Sequence, residues 1–271
     1  MNKEKIRLDE LLVKNGLCDS REKAQRIIVS GKVRVEGLNQ LLKPSTLVEK
    51  SVSIQIEKPP RFVSRGGEKL EKAINEFDIN PQGLVFADIG ASTGGFTDCL
   101  IQRGATKVYA IDVGYGQLHE KLRHHPQVVV KEKINARYLN SDILGTKVDG
   151  VTIDVSFISL RLIFPPAASI LKEDGLLIAL IKPQFEAGRQ EVRKGLVKDK
   201  KVHERVLEET LTQAQKAGFS FQGLTFSPIW GAKGNIEFLG YWRKRSSDLT
   251  NKDLRSIISQ VVEEAHQSKG T

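Results

Sequence analysis

The 271-residue chain has 42 Lys and Arg against 33 Asp and Glu, a net charge of +9, and 39% hydrophobic residues. Its two cysteines are too few for a disulfide scaffold or a zinc cluster, and no apolar run approaches the ~20 residues that span a bilayer. The charged start, MNKEKIRLDELL, lacks the apolar core of a signal peptide, so we expect a cytoplasmic protein. The excess of cations favours a polyanionic partner, although charge alone is also compatible with a generic basic protein.

The first 56 residues predict two short helices and a small sheet. Apolar residues in 6–17 share one helical face, and Ser20 reads as the N-cap of a second helix over 21–30. Strands follow at 32–35 and 52–56. The Arg and Lys side chains fall outside the apolar stripes, which predicts either an RNA-binding surface or a solvated charged face.

The stretch RLDELLVKNGLCDSREKAQRIIVSGKVRVEG, followed by KPS, closely resembles the small RNA-binding module named after ribosomal protein S-four. The resemblance covers residues 6–56, with Glu36 where the module often has Asn. It implies a small α/β RNA-binding domain whose candidate phosphate contacts are Arg7, Arg21, Lys23, Arg26, Lys32 and Arg34.

Two prolines mark a domain boundary. Lys58-Pro59-Pro60-Arg61 continues neither a helix nor a central strand. We therefore predict an N-terminal domain at 1–58, a linker at 59–65, a second domain at 66–245 and a C-terminal helical segment at 246–271.

From Gly83 onwards strands and helices alternate, the pattern of a doubly wound α/β sheet whose ligands bind beyond the carboxyl ends of the strands. The predicted strands are 84–88, 108–112, 128–130, 149–154, 175–181, 219–226 and 235–242. The predicted helices are 95–103, 117–123, 159–171, 202–217 and 249–266.

The loop in VFADIGASTGGFTDCL follows the first of these strands. It is not a dinucleotide fingerprint, because Ser92 replaces the second glycine, and no Gly-Lys-Ser/Thr makes it a P-loop. S-adenosylmethionine (SAM) is the remaining common ligand, with Asp112 on the ribose hydroxyls and Asn135-Ala136 near the adenine. The alternative is a purely structural tight turn. The predicted cofactor-binding residues are Asp88, Gly90, Ser92, Thr93, Gly94, Phe96, Asp112, Asn135 and Ala136.

Four ionisable residues fall at points that the sheet brings together. Lys69 precedes the first strand of this domain, and the other three are Asp154, Lys182 and Glu237 at strand ends. Charges flanked by apolar strands are costly to bury unless they pair.

This set resembles the Lys-Asp-Lys-Glu tetrad of the FtsJ-like 2′-O-ribose methyltransferases. With SRGGEKL, DIGASTGGFTDCLIQ, IDVSFISL, IKPQFEAGR and SPIWGAKGNIEF, nearly the whole chain resembles the TlyA family, bacterial ribosomal RNA 2′-O-methyltransferases often labelled hemolysins. The resemblance implies a Rossmann-like class I SAM-dependent methyltransferase that acts on rRNA, with cytidine ribose as its target.

The resemblance also implies that neutral Lys182 accepts the proton of the ribose hydroxyl. Asp154 and Glu237 would orient it, and Lys69 would position the ribose or its phosphate. Asp154 and Glu237 favour a charged lysine, whereas burial and Lys69 favour a neutral one, and the sequence does not decide between them. Base methylation is a weaker alternative. Neither Cys18 nor Cys99 is placed as the nucleophile that attack at a pyrimidine carbon needs. Methylation of an exocyclic amine usually uses an Asp/Asn-Pro-Pro-aromatic loop, where this sequence has Asp154-Val-Ser-Phe157.

Three further features have open interpretations. Residues 184–201 predict a loop that contacts RNA or is merely solvated, with cations Arg189, Arg193, Lys194, Lys198, Lys200 and Lys201. Phe185 and Trp230 either stack on a splayed base or belong to the core. The five histidines show no metal-ligand spacing, so we predict no metal.

Two functions other than RNA methylation are alternatives. A membrane-active hemolysin would need a spanning segment or a long cationic amphipathic helix, and a non-catalytic ribosome factor would not need the tetrad. The sequence leaves the oligomeric state, monomer or dimer, open.

Overall fold

The computed structural model describes residues 4–38, 41–57, 60–245 and 251–268, with side chains from 254 in the last range. The chain divides into two compact units, Met1–Pro60 and Arg61–Thr271. The last residue of the predicted N-terminal domain, at 58, the first residue of the predicted linker, at 59, and the start of the predicted C-terminal segment, at 246–250, lie outside the described residues.

The first unit consists of two helices and two antiparallel strand pairs. Strand β1 pairs with β3 and β2 with β4, around a core that includes Leu8, Leu12 and Ile28. Its elements are β1 (Lys5–Arg7), α1 (Leu8–Lys14), α2 (Arg21–Val29), β2 (Val33–Val35), β3 (Leu47–Glu49) and β4 (Ile54–Ile56). The prediction of a helix from residue 6 is wrong for its first turn, because Ile6 pairs with Val48 of the unpredicted β3.

The second unit is a seven-stranded sheet with helices on both faces. Its strands are β5 (Val85–Ile89), β6 (Lys107–Ile111), β7 (Val128–Lys131), β8 (Val148–Ile153), β9 (Leu171–Ile181), β10 (Phe219–Phe226) and β11 (Phe238–Lys244). Its helices are α3 (Gly66–Glu76), α4 (Gly95–Gln102), α5 (Glu120–Arg123), α6 (Ser141–Leu144), α7 (Phe164–Ile170), α8 (Pro183–Glu186), α9 (Lys200–Lys216) and α10 (Asn251–Ser268).

The strand order is β10-β11-β9-β8-β5-β6-β7, with β5 to β9 parallel and β11 antiparallel to both neighbours. Alternate side chains of β9 enter different cores, since Leu176 and Ile178 pack with α3 and α4 while Leu177 and Ala179 pack with α7, α9 and α10. From β5 the strand order proceeds to one side through β6 and β7 and then to the other side through β8 and β9. Such sheets bind ligands at the point where the strand order reverses. The predicted Rossmann-like α/β class is confirmed.

Several boundaries differ from the sequence prediction. Helix α3 was not predicted, because its two leading glycines resemble a loop. It forms because Leu70, Ala73 and Ile74 supply a buried stripe. Lys200 and Lys201 begin α9 instead of ending the predicted loop, capped by the Asp199 carboxylate, which accepts from Lys201 N.

Candidate active site

A cavity of about 370 Å³ lies at the carboxyl edge of the parallel strands. Its wall contains all four predicted catalytic residues, Lys69, Asp154, Lys182 and Glu237. Asp154 follows β8 and Lys182 follows β9, whereas Glu237 precedes the antiparallel β11 and therefore reaches the same edge. We call this space the catalytic cavity.

The four charges form two ion pairs. Lys182 Nζ lies 2.6 Å from Asp154 Oδ1 and donates to Ser156 Oγ at 2.9 Å. Lys69 Nζ donates to Glu237 Oε2 at 2.5 Å. The side chains of Lys69, Lys182 and Glu237 are 12%, 11% and 3% exposed, so each lysine needs its carboxylate. Glu237 therefore pairs with Lys69 and Asp154 with Lys182, whereas the sequence interpretation has both carboxylates orient Lys182.

Glycines let the chain approach closely enough to build this wall. A Cβ on Gly231 would lie 2.0 Å from Glu237 Oε1. A Cβ on Gly95, at the start of α4, would lie 2.9 Å from Gly67 N of α3. The glycines of SRGG and TGG thus allow the two helix starts to pack together, which places Lys69 at the cavity.

A second cavity, of about 480 Å³, adjoins the first and is called the cofactor cavity. Both walls contain Gly90, Ser92, Asp154, Ser156 and Phe157, so the two spaces meet at the β5 loop. Asp112, Asn135 and Ala136 line the cofactor cavity alone, whereas Thr93 and Phe96 line the catalytic cavity alone.

Asp112 is fixed at the tip of β6. Its Oδ2 accepts from Ser92 N at 2.8 Å and its Oδ1 from Gly114 N at 2.7 Å. Each carboxylate oxygen has a further lone pair, so the group can still accept from two hydroxyls. Asn135 Oδ1 accepts from Arg137 N, which turns the chain over this cavity.

Two predicted cofactor residues line neither cavity. Asp88 is fully buried, and its carboxyl accepts from Thr97 Oγ1 at 2.6 Å and Thr152 Oγ1 at 2.9 Å. Burial raises the pKa of Asp88 to about 7, although both threonine hydrogen bonds lower it. Gly94 has φ +98°, and a Cβ there would lie 2.3 Å from Leu122 Cδ1. Both residues therefore support the loop after β5 without lining either cavity.

Ser156 and Phe157 line both cavities and were not predicted as site residues from the sequence. Phe157 is 90% exposed, has φ +62°, and its ring centroid lies 4.9 Å from that of Phe185. An exposed aromatic in a left-handed conformation is costly and points to a function. The available sequence signal was the change from an apolar strand to the polar residues of IDVSF. Phe185 and Trp230 line the same cavity.

Glu186 joins helix α8, which bears Phe185, to the loop after β8, which bears Phe157. Its Oε2 accepts from Ser159 Oγ at 2.6 Å and its Oε1 from Leu160 N at 2.8 Å. Burial raises the pKa of Glu186. The loop after β8 and the helix after Lys182 are thereby held together.

Comparison with known proteins gives two family matches. Residues 62–244 match the FtsJ-like methyltransferase model, and residues 6–51 match the S4 domain model. The chain belongs to the FtsJ-like methyltransferase family. It carries an S4 domain at its N-terminal end.

Relatives and solved structures cover nearly the whole chain. "Putative rRNA methyltransferase YqxC" of Bacillus subtilis is 46% identical over 99% of this chain and 96% of its own. "16S/23S rRNA (cytidine-2'-O)-methyltransferase TlyA" of Mycobacterium tuberculosis is 39% identical over 96% of this chain and 98% of its own. A structure described as "Putative hemolysin from Streptococcus thermophilus" has a TM-score of 0.75 and 42% identity, over 98% of this chain and 97% of that one.

In the S4 domain, four of the six predicted RNA contacts are ion-paired. Asp9 is fully buried and binds both Arg7 Nε and Arg21 Nε at 3.0 Å. The hydrogen bond from Arg7 holds the pKa of Asp9 well below its usual range. Lys23 pairs with Asp19 and Arg34 with Glu57 on the surface.

Arg26 and Lys32 are exposed and have no ion pair within the described part of the chain. Of the six predicted RNA contacts, two thus have no ion pair among the described residues, and two are arginines fixed by a buried carboxylate.

Within the described part of the chain, none of the helices combines the length and the hydropathy that a membrane span requires. In the same part of the chain, no group of three or more His, Cys, Asp or Glu side chains is placed to hold a metal ion.

Proposed function

We propose that this FtsJ-like methyltransferase transfers a methyl group from SAM to a ribose 2′-hydroxyl of ribosomal RNA. The observation that carries the proposal is the junction of two cavities at Gly90 and Asp154, with Lys182 on the catalytic side. The relative from M. tuberculosis is named a cytidine-2′-O-methyltransferase of 16S and 23S rRNA, which makes cytidine the proposed target. We place this reaction in the cytoplasm, where ribosomal RNA is modified.

The cofactor cavity has the groups that SAM requires. Asp112 accepts hydrogen bonds from the ribose hydroxyls, and Asn135 and Ala136 border the adenine. Gly90 leaves room for the methionine portion, because its missing side chain lets the β5 loop approach Asp154 O. When bound, SAM supplies the electrophilic methyl group on its sulfonium.

Lys182 is the proposed general base. In its neutral form, Lys182 Nζ would take the proton of the 2′-hydroxyl as the hydroxyl oxygen bonds to the methyl carbon. The bond between that carbon and the sulfonium sulfur would break at the same time, S-adenosylhomocysteine would leave, and the lysine would later pass the proton to solvent. Asp154, at 2.6 Å, and Ser156, at 2.9 Å, fix the position of Nζ. Most of the acceleration comes from the in-line placement of hydroxyl and methyl group.

The remaining cavity residues bind the target nucleotide. Phe157 and Phe185 offer an aromatic surface on which a splayed base stacks, with Trp230 on the same cavity. Arg65 lines the cavity, is exposed, and has no ion pair within the described residues, so it fits a backbone phosphate. Lys69, held by Glu237, faces the ribose.

The S4 domain supplies RNA affinity outside the active site. Arg26 and Lys32 are free for phosphates, and Arg7 and Arg21 are fixed in position by Asp9. Surface pairs such as Arg34–Glu57 exchange readily for a phosphate, since exposed ion pairs contribute little.

Radiolabelled SAM and unmodified ribosomal subunits test the proposal. The protein should transfer label to rRNA, and acid hydrolysis should locate it on the ribose. Lys182→Ala should lower the rate by at least about 100-fold, the usual contribution of a general base. SAM binding, measured by calorimetry, should persist.

The matched control is Lys147→Ala, which removes an exposed lysine ahead of β8, at the opposite edge of the sheet. This variant should retain wild-type transfer. SAM binding without transfer to any rRNA, or substantial transfer by Lys182→Ala, would contradict the proposal.

A further inference from the structure

A third cavity, of about 880 Å³, lies in the loop between α8 and α9. We call residues 187–199 the basic loop. Its cations Arg193, Lys194 and Lys198 line this cavity together with Lys233. Lys233 directly follows Gly231 and Ala232, which line the catalytic cavity, so the two spaces meet at one turn.

The charge of this cavity is not neutralised. All four cations are exposed, and none forms an ion pair within the part of the chain that the structure describes. The two carboxylates of the wall are engaged elsewhere: Glu191 pairs with Arg205 at 2.5 Å, and Asp199 caps α9. The cavity therefore presents a surplus of positive charge to solvent.

The basic loop is fixed by buried contacts. Asn235, 1% exposed, donates through Nδ2 to Gly195 O at 2.8 Å and accepts at Oδ1 from Val197 N at 3.0 Å. Val197 is itself 1% exposed. Asn235 lies two residues before Glu237, so the loop is tied to the segment that carries a predicted catalytic residue.

Two of the cations have strained backbones. Lys194 has φ +52° and Lys233 has φ +58°, and Lys233 Nζ donates to Lys194 O at 2.9 Å. Left-handed conformations in residues other than glycine persist where the surrounding structure enforces them, often at ligand sites. Lys233 keeps two further N–H donors for a ligand.

We propose that Arg193, Lys194, Lys198 and Lys233 bind the phosphate backbone of the RNA strand next to the target nucleotide. The inference rests on the proposed function for the identity of the polyanion. A fixed group of unpaired cations, without an aromatic side chain on the cavity wall, suits phosphates better than bases. The catalytic unit therefore contributes its own RNA affinity, separate from the S4 domain.

The test compares two triple variants of the full chain. Arg193→Gln, Lys194→Gln and Lys198→Gln remove three proposed contacts, and Lys233 stays because it supports the loop. The control removes Lys107, Lys147 and Lys216, which are exposed and lie at the opposite edge of the sheet. Binding of an unmodified rRNA transcript is measured between ~50 and ~200 mM salt.

Each lost phosphate contact reduces the slope of log K against log salt by about 0.7–0.9, so the slope of the first triple variant should be smaller by about two to three. The control should match the wild type, and both variants should melt at the wild-type temperature. Equal slopes and affinities for the two triple variants would overturn the inference. So would weaker binding to ribosomal subunits with unchanged binding to naked rRNA, which would indicate an acidic protein partner.

This experiment separates the two proposals. If the wild type binds rRNA but never transfers a methyl group, and the first triple variant has the reduced slope of log K against log salt, the proposed function alone is refuted. A wild type that transfers methyl groups while the two triple variants bind rRNA alike would refute the inference alone.

Discussion

Asp88 carries a carboxyl group where water does not reach, and its effect on stability depends on pH. Burial raises its pKa in the folded state from 3.8 to about 7. Its contribution to stability is therefore complete below about pH 4 and is lost as pH rises through about 7. We expect Asp88→Asn, which keeps hydrogen bonds to Thr97 and Thr152, to gain stability relative to the wild type over that interval.

The gain has an upper limit of about 4 kcal/mol, from roughly three units of pKa at 1.36 kcal/mol each. Urea unfolding at pH 5 and pH 8 measures it. Asp142→Asn, at an exposed helix start, serves as the control and should show no such change between the two pH values. A constant difference between Asp88→Asn and the wild type at both pH values would show that Asp88 is ionised throughout.

Substitutions at Gly90 and Gly83 distinguish the effect of backbone strain from the effect of a direct clash. Both have positive φ, +85° and +79°. An added Cβ at Gly90 lies 2.6 Å from Asp154 O, whereas at Gly83 nothing lies within 4 Å. Alanine at Gly83 should cost about 1–2 kcal/mol of unfolding free energy from backbone strain alone. Alanine at Gly90 should cost more, because the clash with Asp154 O adds to the same strain.

Only Gly90→Ala should also lose SAM affinity, by at least about tenfold, because it pushes the β5 loop away from Asp154. Calorimetric titration with SAM distinguishes the two variants. Equal SAM affinity of Gly90→Ala and Gly83→Ala would mean that the close approach does not shape the cofactor cavity.

The sequence predicted which residues line the catalytic cavity, but not how their side chains are oriented and paired. Asp154, Lys182 and Glu237 reach one cavity because strand ends converge, and Lys69 reaches it from helix α3. Their pairing was not predictable, since it depends on which side chains α3 and the turn before β11 bring within about 3 Å. Asp88 looked like a ligand because it ends a strand, yet its side chain points to Thr97 and Thr152.

The short helix α8 has a role that its length does not suggest. Glu186 holds the loop of Phe157 through Ser159 Oγ and Leu160 N, while Lys182 precedes the same helix. Glu186→Ala leaves the buried Leu160 N–H without its acceptor, which costs about 1–3 kcal/mol. The aromatic pair and Lys182 should then lose their relative position, and methyl transfer should fall by about 10- to 100-fold.

Glu186→Gln provides the matched comparison, because its amide oxygen can accept from Leu160 N and its NH₂ can donate to Ser159 Oγ. It should recover most of the activity. Steady-state kinetics on rRNA, together with melting temperature, test this. Full activity of Glu186→Ala would show that the loop holds its position without this contact.

Helices and strands were predictable where their apolar residues follow a regular period along the chain. The parallel strands and α9 have clear apolar periods and were placed within a few residues of their observed bounds. Helix α3 was not predicted because the glycines of SRGG disfavour a helix by themselves. Its helical start is stable only once Gly66 and Gly67 pack against α4. Strand β3 was missed for a similar reason, since its three residues gain structure by pairing with β1.

At the scale of the whole molecule, the chain has separate hydrophobic cores. One core comprises residues between Ile6 and Ile56, and three further core clusters lie between Phe62 and Ala265. The predicted division into an RNA-binding and a catalytic part follows from composition and motifs, without knowledge of tertiary contacts. Its exact boundary depends on Phe62, which is 3% exposed and belongs to a core of the second unit.

We therefore expect the fragment 61–271 to fold by itself and to bind SAM, because it keeps every core cluster of the second unit. Its rRNA affinity should fall by at least about tenfold, with a smaller salt dependence, since the cations of the S4 domain are gone. A fragment that begins at Arg65 is the control. It loses Phe62 and the hydrogen bond from Val63 N to Asp98 Oδ2, and should be about 3–5 kcal/mol less stable than 61–271. Urea unfolding and rRNA binding measure both effects, and wild-type rRNA affinity of 61–271 would contradict a binding role for the S4 domain.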